Sequence, residues 1–183
     1  MSREKQAALF LDRDGVINRD FGYVYEPQFF QFVDDIFDLC QEAQSKNYKI
    51  IIVTNQSGIG RGIYSEEDYL KLSAWVEQQF AEQGVAITAT YYCPHHPIKA
   101  KGDYLQDCDC RKPKPGLLLQ AAQEHHLDLS RSLLVGDKLT DLQAAQAAGV
   151  PRRYWFVSKE EQIIDKQLVS AIVESHLELV DLL

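Results

Sequence analysis

The feature that most constrains the fold of this chain is a regular alternation of strand-like and helix-like segments. The strand-like segments are continuous apolar runs, which are typical of strands covered by helices on both faces. They lie at residues 7–12, 49–55, 89–93, 132–137 and 152–157. This alternation predicts an α/β fold, a doubly wound and mainly parallel sheet with right-handed crossovers.

Four helices are predicted between these strands. The first begins near Asp34, and the second begins after Ser65, a suitable N-cap, with apolar residues at helical spacing. Pro115 suits the first turn of the third helix, and Gly149 ends the fourth. Residues 169–183 predict one further edge strand and a short helix.

The bulk composition is that of one soluble domain spanning residues 1–183. No apolar stretch approaches the roughly 20 residues that cross a bilayer, and the charged start MSREKQ is unlike a signal peptide, so we expect a cytoplasmic protein without a membrane partner. The net charge of −8 argues against binding to nucleic acid, whereas a small phosphorylated substrate needs only a local basic cluster. Nothing in the sequence demands an oligomer, and we expect a monomer.

Polar residues follow three of the predicted strands at the point where each strand ends. Asp12 and Asp14 follow the first, Thr54 and Asn55 the second, and Asp137 the fourth. Ligands of doubly wound sheets bind beyond the carboxyl ends of the strands, so these side chains should converge. Three carboxylates at one sheet edge suit a hard divalent cation, and Mg²⁺ is the usual one beside phosphate. The predicted magnesium set is therefore Asp12, Asp14 and Asp137.

This arrangement favours phosphoryl transfer, in which a protein mainly positions and neutralises the phosphoryl group. Asp12 is the predicted nucleophile, since a carboxylate can form an acyl phosphate. Asp14 is the predicted general acid and base. Lys112 supplies a positive charge and Thr54 a hydroxyl, while the glycine-rich NQSGIGRG loop offers backbone N–H groups. Asp141, one helical turn after Asp137, is placed to orient Lys112 or Lys138.

Three of the four cysteines belong to a predicted zinc site. Cys40 differs, because it lies on the apolar face of the first helix and predicts a buried core thiol. The others form C-x-H and C-x-C pairs in one loop, and four such ligands suit a closed, tetrahedral, structural Zn²⁺ site. His96 is the alternative to His95, which the paired spacing favours. The predicted ligands are Cys93, His95, Cys108 and Cys110.

The motifs DRDG, VTN, the lysine of RKPKPG, and GDKLTD resemble, in this order, the four motifs of the haloacid dehalogenase superfamily of phosphatases. The resemblance implies Mg²⁺ dependence, Asp12 as nucleophile, Asp14 as acid and base, and Thr54 and Lys112 as holders of the phosphoryl group. It also implies that the backbone carbonyl of Asp14 and the carboxylate of Asp137 bind the metal. The segments between the motifs leave no room for a cap domain.

A narrower resemblance, to superfamily members that act on a small phosphorylated sugar, is carried by RDFGYVYEP, NQSGIGRG and the CPHHP…CDCRKP loop. It implies that Arg111 recognises the substrate beyond the scissile phosphate, where a bidentate guanidinium suits a second phosphate. The residues predicted to contact substrate are Arg13, Asp20, Phe21, Gly22, Tyr23, Asn55, Gln56, Ser57, Arg111 and Lys138.

Two alternatives share part of this pattern. Histidinol-phosphate phosphatase has the same scaffold and a similar zinc loop, but GIGRG and the longer loop between Cys93 and Cys108 favour the sugar phosphatase. A phospho-aspartate receiver, a signalling module rather than an enzyme, has a comparable acid cluster with a Thr and a Lys. Its phosphorylated aspartate lies on the third strand, where this chain has Cys93.

Overall fold

A single parallel sheet of six strands organises the computed structural model, which describes residues 4–157 and 167–183. The strand order is β3-β2-β1-β4-β5-β6, and every neighbouring pair is parallel. The order reverses at β1, so the crevice beyond β1 and β4 is the expected ligand site. The strands are β1 (Ala8–Leu11), β2 (Lys49–Asn55), β3 (Ile87–Cys93), β4 (Leu133–Gly136), β5 (Arg152–Phe156) and β6 (Ala171–Val173).

Six helices accompany the sheet, and short 3₁₀ turns lie at Pro27–Phe29, Gly102–Tyr104 and Leu129–Arg131. The predicted α/β architecture is confirmed, and the described residues contain no cap domain. No described helix is both long enough and apolar enough to cross a membrane. The start of MSREKQ, residues 1–3, lies outside the described part of the chain. The helices are α1 (Ile36–Ser45), α2 (Ser57–Arg61), α3 (Glu66–Glu82), α4 (Gly116–Glu124), α5 (Leu139–Ala148) and α6 (His176–Val180).

The helix ends follow most of the predicted signals. Ser65 caps α3 and forms a reciprocal capping box with Asp68, and Gly149 ends α5 in the left-handed conformation at φ 83°. Two boundaries differ from the prediction. The first helix begins at Ile36, after Asp35 takes a left-handed φ of 63°, and Pro115 precedes α4 instead of lying in its first turn. Helix α2 lies in the segment that the sequence predicts as a glycine-rich loop, because five residues are too few to show a helical period.

Apolar side chains of the sheet pack into two separate cores, one on each face. Successive side chains of β1 point to opposite faces of the sheet. Leu9 and Leu11 pack in the core that contains α1, α3 and α6, whereas Ala8 and Phe10 pack in the core that contains α4 and α5. This double coverage explains why the strands read as continuous apolar runs. Cys40 is fully buried in the first core, as predicted.

The C-terminal helix is joined to the loop after β1 by a buried histidine. The His176 ring is fully buried, donates from Nε2 to the Val16 carbonyl at 2.8 Å, and stacks on Phe156 with centroids 4.5 Å apart. The carbonyl can only accept, which assigns the proton to Nε2. Burial lowers the pKa of His176 to about 4. The neutral ring therefore stabilises the fold, and protonation favours unfolding.

We expect His176 to make the stability of the protein fall in mild acid. A depressed pKa gives a contribution that is complete above about pH 6.5 and is lost progressively towards pH 4. Between about pH 7 and about pH 5, the free energy of unfolding of the wild type should fall by about 2 kcal/mol more than that of His176→Phe. Denaturant titrations at both pH values measure this difference, and equal changes in the two proteins would contradict the assignment.

Candidate active site

A buried lysine lies at the centre of the site, beyond the carboxyl ends of β1 and β2. The Lys112 ammonium lies 2.7 Å from Asp12 Oδ1, 2.7 Å from Asp141 Oδ1 and 2.7 Å from the Val53 carbonyl, so each of its three protons has a partner. Lys112 is only 2% exposed, and the two carboxylates overcome its burial and raise its pKa. The group therefore remains charged, and the predicted meeting of Asp12 and Lys112 is observed.

Asn55 fixes the backbone that presents this lysine. Its side-chain amide accepts from the Lys112 N–H at 3.1 Å and donates to the Lys112 carbonyl at 3.1 Å. The sequence predicts that Asn55 contacts substrate. In the structure its side-chain oxygen and N–H are paired with the N–H and the carbonyl of Lys112. Its role in the structure is to position Lys112.

Asp14 is surrounded by donors from three residues. Arg13 Nη2 lies 2.8 Å from Oδ1, Asn18 Nδ2 lies 3.1 Å from Oδ1, and Gln56 Nε2 lies 2.9 Å from Oδ2. Burial opposes ionisation, but the charge of Arg13 and these hydrogen bonds lower the pKa of Asp14 below its ordinary value. Asp14 is therefore an ionised carboxylate in this state.

Two residues predicted to contact substrate instead hold Asp14. The Arg13 side chain is 3% exposed, donates to the Val24 carbonyl at 2.7 Å, and lies against the rings of two aromatic residues. Gln56 is 2% exposed and bridges Asp14 to Thr54 Oγ1 at 2.9 Å, while the Tyr64 hydroxyl donates to its Oε1 at 2.5 Å. Gln56 has a protein partner for both of its N–H groups and for its oxygen, whereas the buried Arg13 Nη1 has no hydrogen-bond partner among the described residues. The substrate contacts of Arg13 and Gln56 stay predictions.

Three carboxylates form a cluster with one lysine. Oxygens of Asp12, Asp137 and Asp141 lie within 4.8 Å of one another. Burial, and then the charge of Asp12, raise the pKa of Asp137 to about 8, and its buried Oδ1 has no hydrogen-bond partner among the described residues. Unpaired hard oxygens among buried like charges fit a divalent cation such as Mg²⁺. The Asp14 carboxylate, the third member of the predicted set, is held by Arg13 instead. The backbone carbonyl of Asp14, which the family resemblance implies as a metal ligand, stays a prediction.

Gly15 makes room for this carboxylate. It has a φ of 97°, and a Cβ atom at this position would lie 2.0 Å from Asp137 Oδ2. The turn after β1 therefore closes directly onto Asp137, and only glycine allows both the backbone conformation and the approach.

A second cluster lies at the end of β3, on the loop before Lys112. The Sγ atoms of its three thiols are 3.0–3.4 Å apart, and His95 Nδ1 lies 3.7 Å from Cys93 Sγ and 3.4 Å from Cys110 Sγ. A zinc tetrahedron with bonds of about 2.3 Å has edges of about 3.8 Å, so this slightly compact set fits zinc. The predicted donors meet: Cys93, His95, Cys108 and Cys110.

The structure also distinguishes the two histidines of the zinc loop. His96 Nδ1 accepts from the backbone N–H groups of Ile98 and Lys99 at 3.1 Å and 3.0 Å. It therefore caps a turn outside the thiol cluster, whereas His95 lies in it. The choice of His95 over His96 agrees with this geometry.

The remaining predicted contacts lie on loops around the site. Asp20 accepts from the Gly22 N–H at 2.9 Å and lies 3.4 Å from the Lys138 ammonium, while Phe21 and Tyr23 are 62% and 43% exposed. Ser57 begins α2, and Arg111 donates to the His95 carbonyl at 3.2 Å.

The sheet and its strand-end site are those of the haloacid dehalogenase class. A family model described as HAD-hydrolase-like matches residues 109–152. The D,D-heptose 1,7-bisphosphate phosphatase of B. bronchiseptica, crystallised with magnesium and phosphate, superimposes with a TM-score of 0.82. It is 25% identical, and the match covers 96% of this chain and 97% of that one.

Comparison with curated sequences identifies the family within this class. The chain is 53% identical over 146 residues to the D-glycero-alpha-D-manno-heptose-1,7-bisphosphate 7-phosphatase of Burkholderia mallei, covering 80% of this chain and 77% of that protein. It is 50% identical over 143 residues to the corresponding beta-heptose phosphatase of Haemophilus influenzae, covering 78% and 77%. The chain belongs to the D-glycero-manno-heptose-1,7-bisphosphate 7-phosphatase family.

Gly15→Ala should inactivate the site by displacing Asp137. We expect a loss of about 100-fold in phosphate-ester hydrolysis, because small displacements at a catalytic centre cost about this much. Gly84→Ala is the matched control, since Gly84 also has a positive φ, 75°, but open space around its Cβ position. The control should lose about 1 kcal/mol of stability and keep its activity. Equal activity in the two variants, measured with their thermal unfolding, would contradict this role of Gly15.

Proposed function

We propose that this chain is a magnesium-dependent phosphatase that removes the 7-phosphate of D-glycero-D-manno-heptose 1,7-bisphosphate, a step towards ADP-heptose for lipopolysaccharide. The observation that carries the proposal is the buried Asp12–Lys112–Asp141 centre beside the Asp14 network, in a chain of this family. The two alternatives, histidinol-phosphate phosphatase and the receiver module, are not favoured by the comparisons. The receiver also places its aspartate on another strand.

In the first half-reaction the Asp12 carboxylate attacks phosphorus, and the bond to the C7 oxygen breaks. Lys112 holds Asp12 in place, and Thr54 supplies a hydroxyl to the transferring group. Asp14 gives its proton to the departing sugar oxygen. A phosphate dianion beside Asp14 opposes the effect of Arg13 and raises the pKa of Asp14, so binding of substrate favours the protonated acid.

In the second half-reaction water attacks the phosphorus of the aspartyl phosphate. Asp14, now ionised and held by Arg13 and Gln56, accepts the proton of that water, and inorganic phosphate leaves as the Asp12 carboxylate is restored. The lowered pKa of Asp14 keeps this carboxylate ionised before the step. Mg²⁺ at Asp12, Asp137 and the backbone carbonyl of Asp14 would neutralise charge on the phosphoryl oxygens.

The proposed function is tested by comparing kcat/KM for heptose 1,7-bisphosphate, as both anomers, with that for histidinol phosphate in the presence of Mg²⁺. Both anomers are included because relatives of each type match the chain. We expect a preference of at least about 100-fold for a bisphosphate, corresponding to about 3 kcal/mol from the second phosphate. Asp12→Asn, measured in parallel, should show no turnover, which excludes a contaminating phosphatase. A preference for histidinol phosphate would overturn the proposed substrate.

We further propose that the cluster of three thiols and His95 binds a structural Zn²⁺. All four ligand positions of a tetrahedral ion are then taken by the protein, which leaves none for substrate. Hydrogen bonding with the neighbouring thiols lowers the pKa of Cys110 to about 5 against its burial, which favours the thiolate form that zinc binds. The ion would tie the end of β3 to the residues directly before Lys112.

The zinc proposal predicts different behaviour for the two neighbouring histidines. His95→Ala and Cys108→Ser should each lower the zinc bound per chain and the unfolding temperature, because each removes one ligand. His96→Ala should retain zinc, since His96 caps a turn outside the cluster. Metal analysis and thermal unfolding measure both effects. Full zinc content in Cys108→Ser, or zinc loss in His96→Ala alone, would contradict the ligand set.

A further inference from the structure

Two arginines beside the site have no carboxylate partner in the described part of the chain. Arg111 precedes Lys112 and donates to a backbone carbonyl, and Arg61 ends α2, the helix that follows Gln56. In a chain with a net charge of −8, guanidinium groups without a carboxylate partner beside a predicted phosphate site indicate that a further anionic group of the ligand binds there. The sequence predicts a role for Arg111 but not for Arg61, because the only sequence signal for Arg61 is its place in GIGRG.

Arg61 is attached to the loop of predicted substrate contacts through Tyr23. Its Nη1 donates to the Tyr23 hydroxyl at 2.8 Å, and its guanidinium carbon lies 5.8 Å from the centroid of the Tyr23 ring. Tyr23 has a left-handed φ of 51°, which an ordinary side chain seldom adopts. The Arg61 contact thus favours one placement of this loop, and it leaves other N–H groups of the guanidinium to donate elsewhere.

Helix α2 is also fixed against the zinc loop, which carries Arg111. The Gly60 carbonyl accepts from the Lys101 N–H at 2.8 Å, and a Cβ atom at Gly60 would lie 2.5 Å from the Pro94 carbonyl oxygen. Arg61 and Arg111 therefore belong to one packed unit.

We propose that Arg61 is a specificity-determining residue, which binds the second phosphate of the substrate together with Arg111 while its contact with Tyr23 keeps the substrate loop in place. The inference rests on the proposed bisphosphate substrate. A guanidinium can donate two parallel hydrogen bonds to phosphate oxygens, and two of them on one rigid unit need little reorganisation to do so. The scissile phosphate is handled separately by Asp12, Thr54 and Lys112.

The experiment compares Arg61→Met with the wild type on two substrates, heptose 1,7-bisphosphate and p-nitrophenyl phosphate, which has no second phosphate. For the bisphosphate, we expect KM to rise by about 10- to 100-fold with kcat nearly unchanged, the usual effect of losing a charged hydrogen bond in binding. For p-nitrophenyl phosphate, kcat/KM should stay within about threefold. Arg61→Lys should give a KM for the bisphosphate between those of the wild type and Arg61→Met, because it keeps the positive charge and loses the paired hydrogen bonds of the guanidinium.

Two further variants serve as controls. Lys71→Met removes one positive charge from the exposed face of α3, where Lys71 pairs with Glu67, and should leave both substrates unaffected. Tyr23→Phe removes the hydroxyl that Arg61 contacts but keeps the ring, and should raise KM for the bisphosphate by less than Arg61→Met does.

The outcomes separate this inference from the proposed function. A wild type without preference for the bisphosphate would overturn the proposed function itself. A wild type that prefers the bisphosphate, with the same preference in Arg61→Met, would overturn the role of Arg61. Equal losses on both substrates in Arg61→Met would assign Arg61 a structural role and would also overturn the inference.

Discussion

The ion pairs of Lys112 are the interaction on which the site depends. One buried ammonium joins the residue after β1, the backbone of β2 and the first turn of α5 through Asp12, Val53 and Asp141. Removing it would leave two buried carboxylates facing one another, and breaking such a pair costs about 3–5 kcal/mol. Apolar replacements can often match buried ion pairs in stability, so this one is better explained by the charge it holds beside Asp12.

The loop before Lys112 explains how a long flexible side chain acquires one position. Cys93 ends β3, and Cys110 lies two residues before Lys112, so the thiol cluster brings the lysine's own backbone to the sheet edge. Asn55, at the end of β2, then pairs with both the N–H and the carbonyl of Lys112. The side chain therefore leaves from a fixed backbone, and little rotamer freedom remains to be lost when phosphate binds.

The sequence predicts the sheet, the strand ends and the meeting of Asp12, Lys112 and Asp137, because buried parallel strands carry a local signal and their ends share one edge. It does not predict which neighbouring polar side chains turn inward. Arg13 and Asn55 lie within the motifs and Gln56 follows one, and Arg13 pairs with its sequence neighbour Asp14. The partners of Asn55 and Gln56, which are the Lys112 peptide and Tyr64, are brought close only by the fold. Helix α2 is similarly hidden, since its five residues are fixed by Tyr64 and the zinc loop instead of by an apolar period.

The charges at the centre explain why two aspartates stand so close together at the end of β1. Asp12 faces Asp137 and Asp141 with one ammonium among them, and burial and mutual repulsion raise the pKa values of Asp12 and Asp137. Asp14 is isolated from this repulsion by Arg13, which lowers its pKa. The sequence Asp-Arg-Asp thus shifts the pKa values of two neighbouring carboxylates in opposite directions, up for Asp12 and down for Asp14. A divalent cation at the first set would favour the ionised form of the nucleophile without disturbing the separate proton exchange at Asp14.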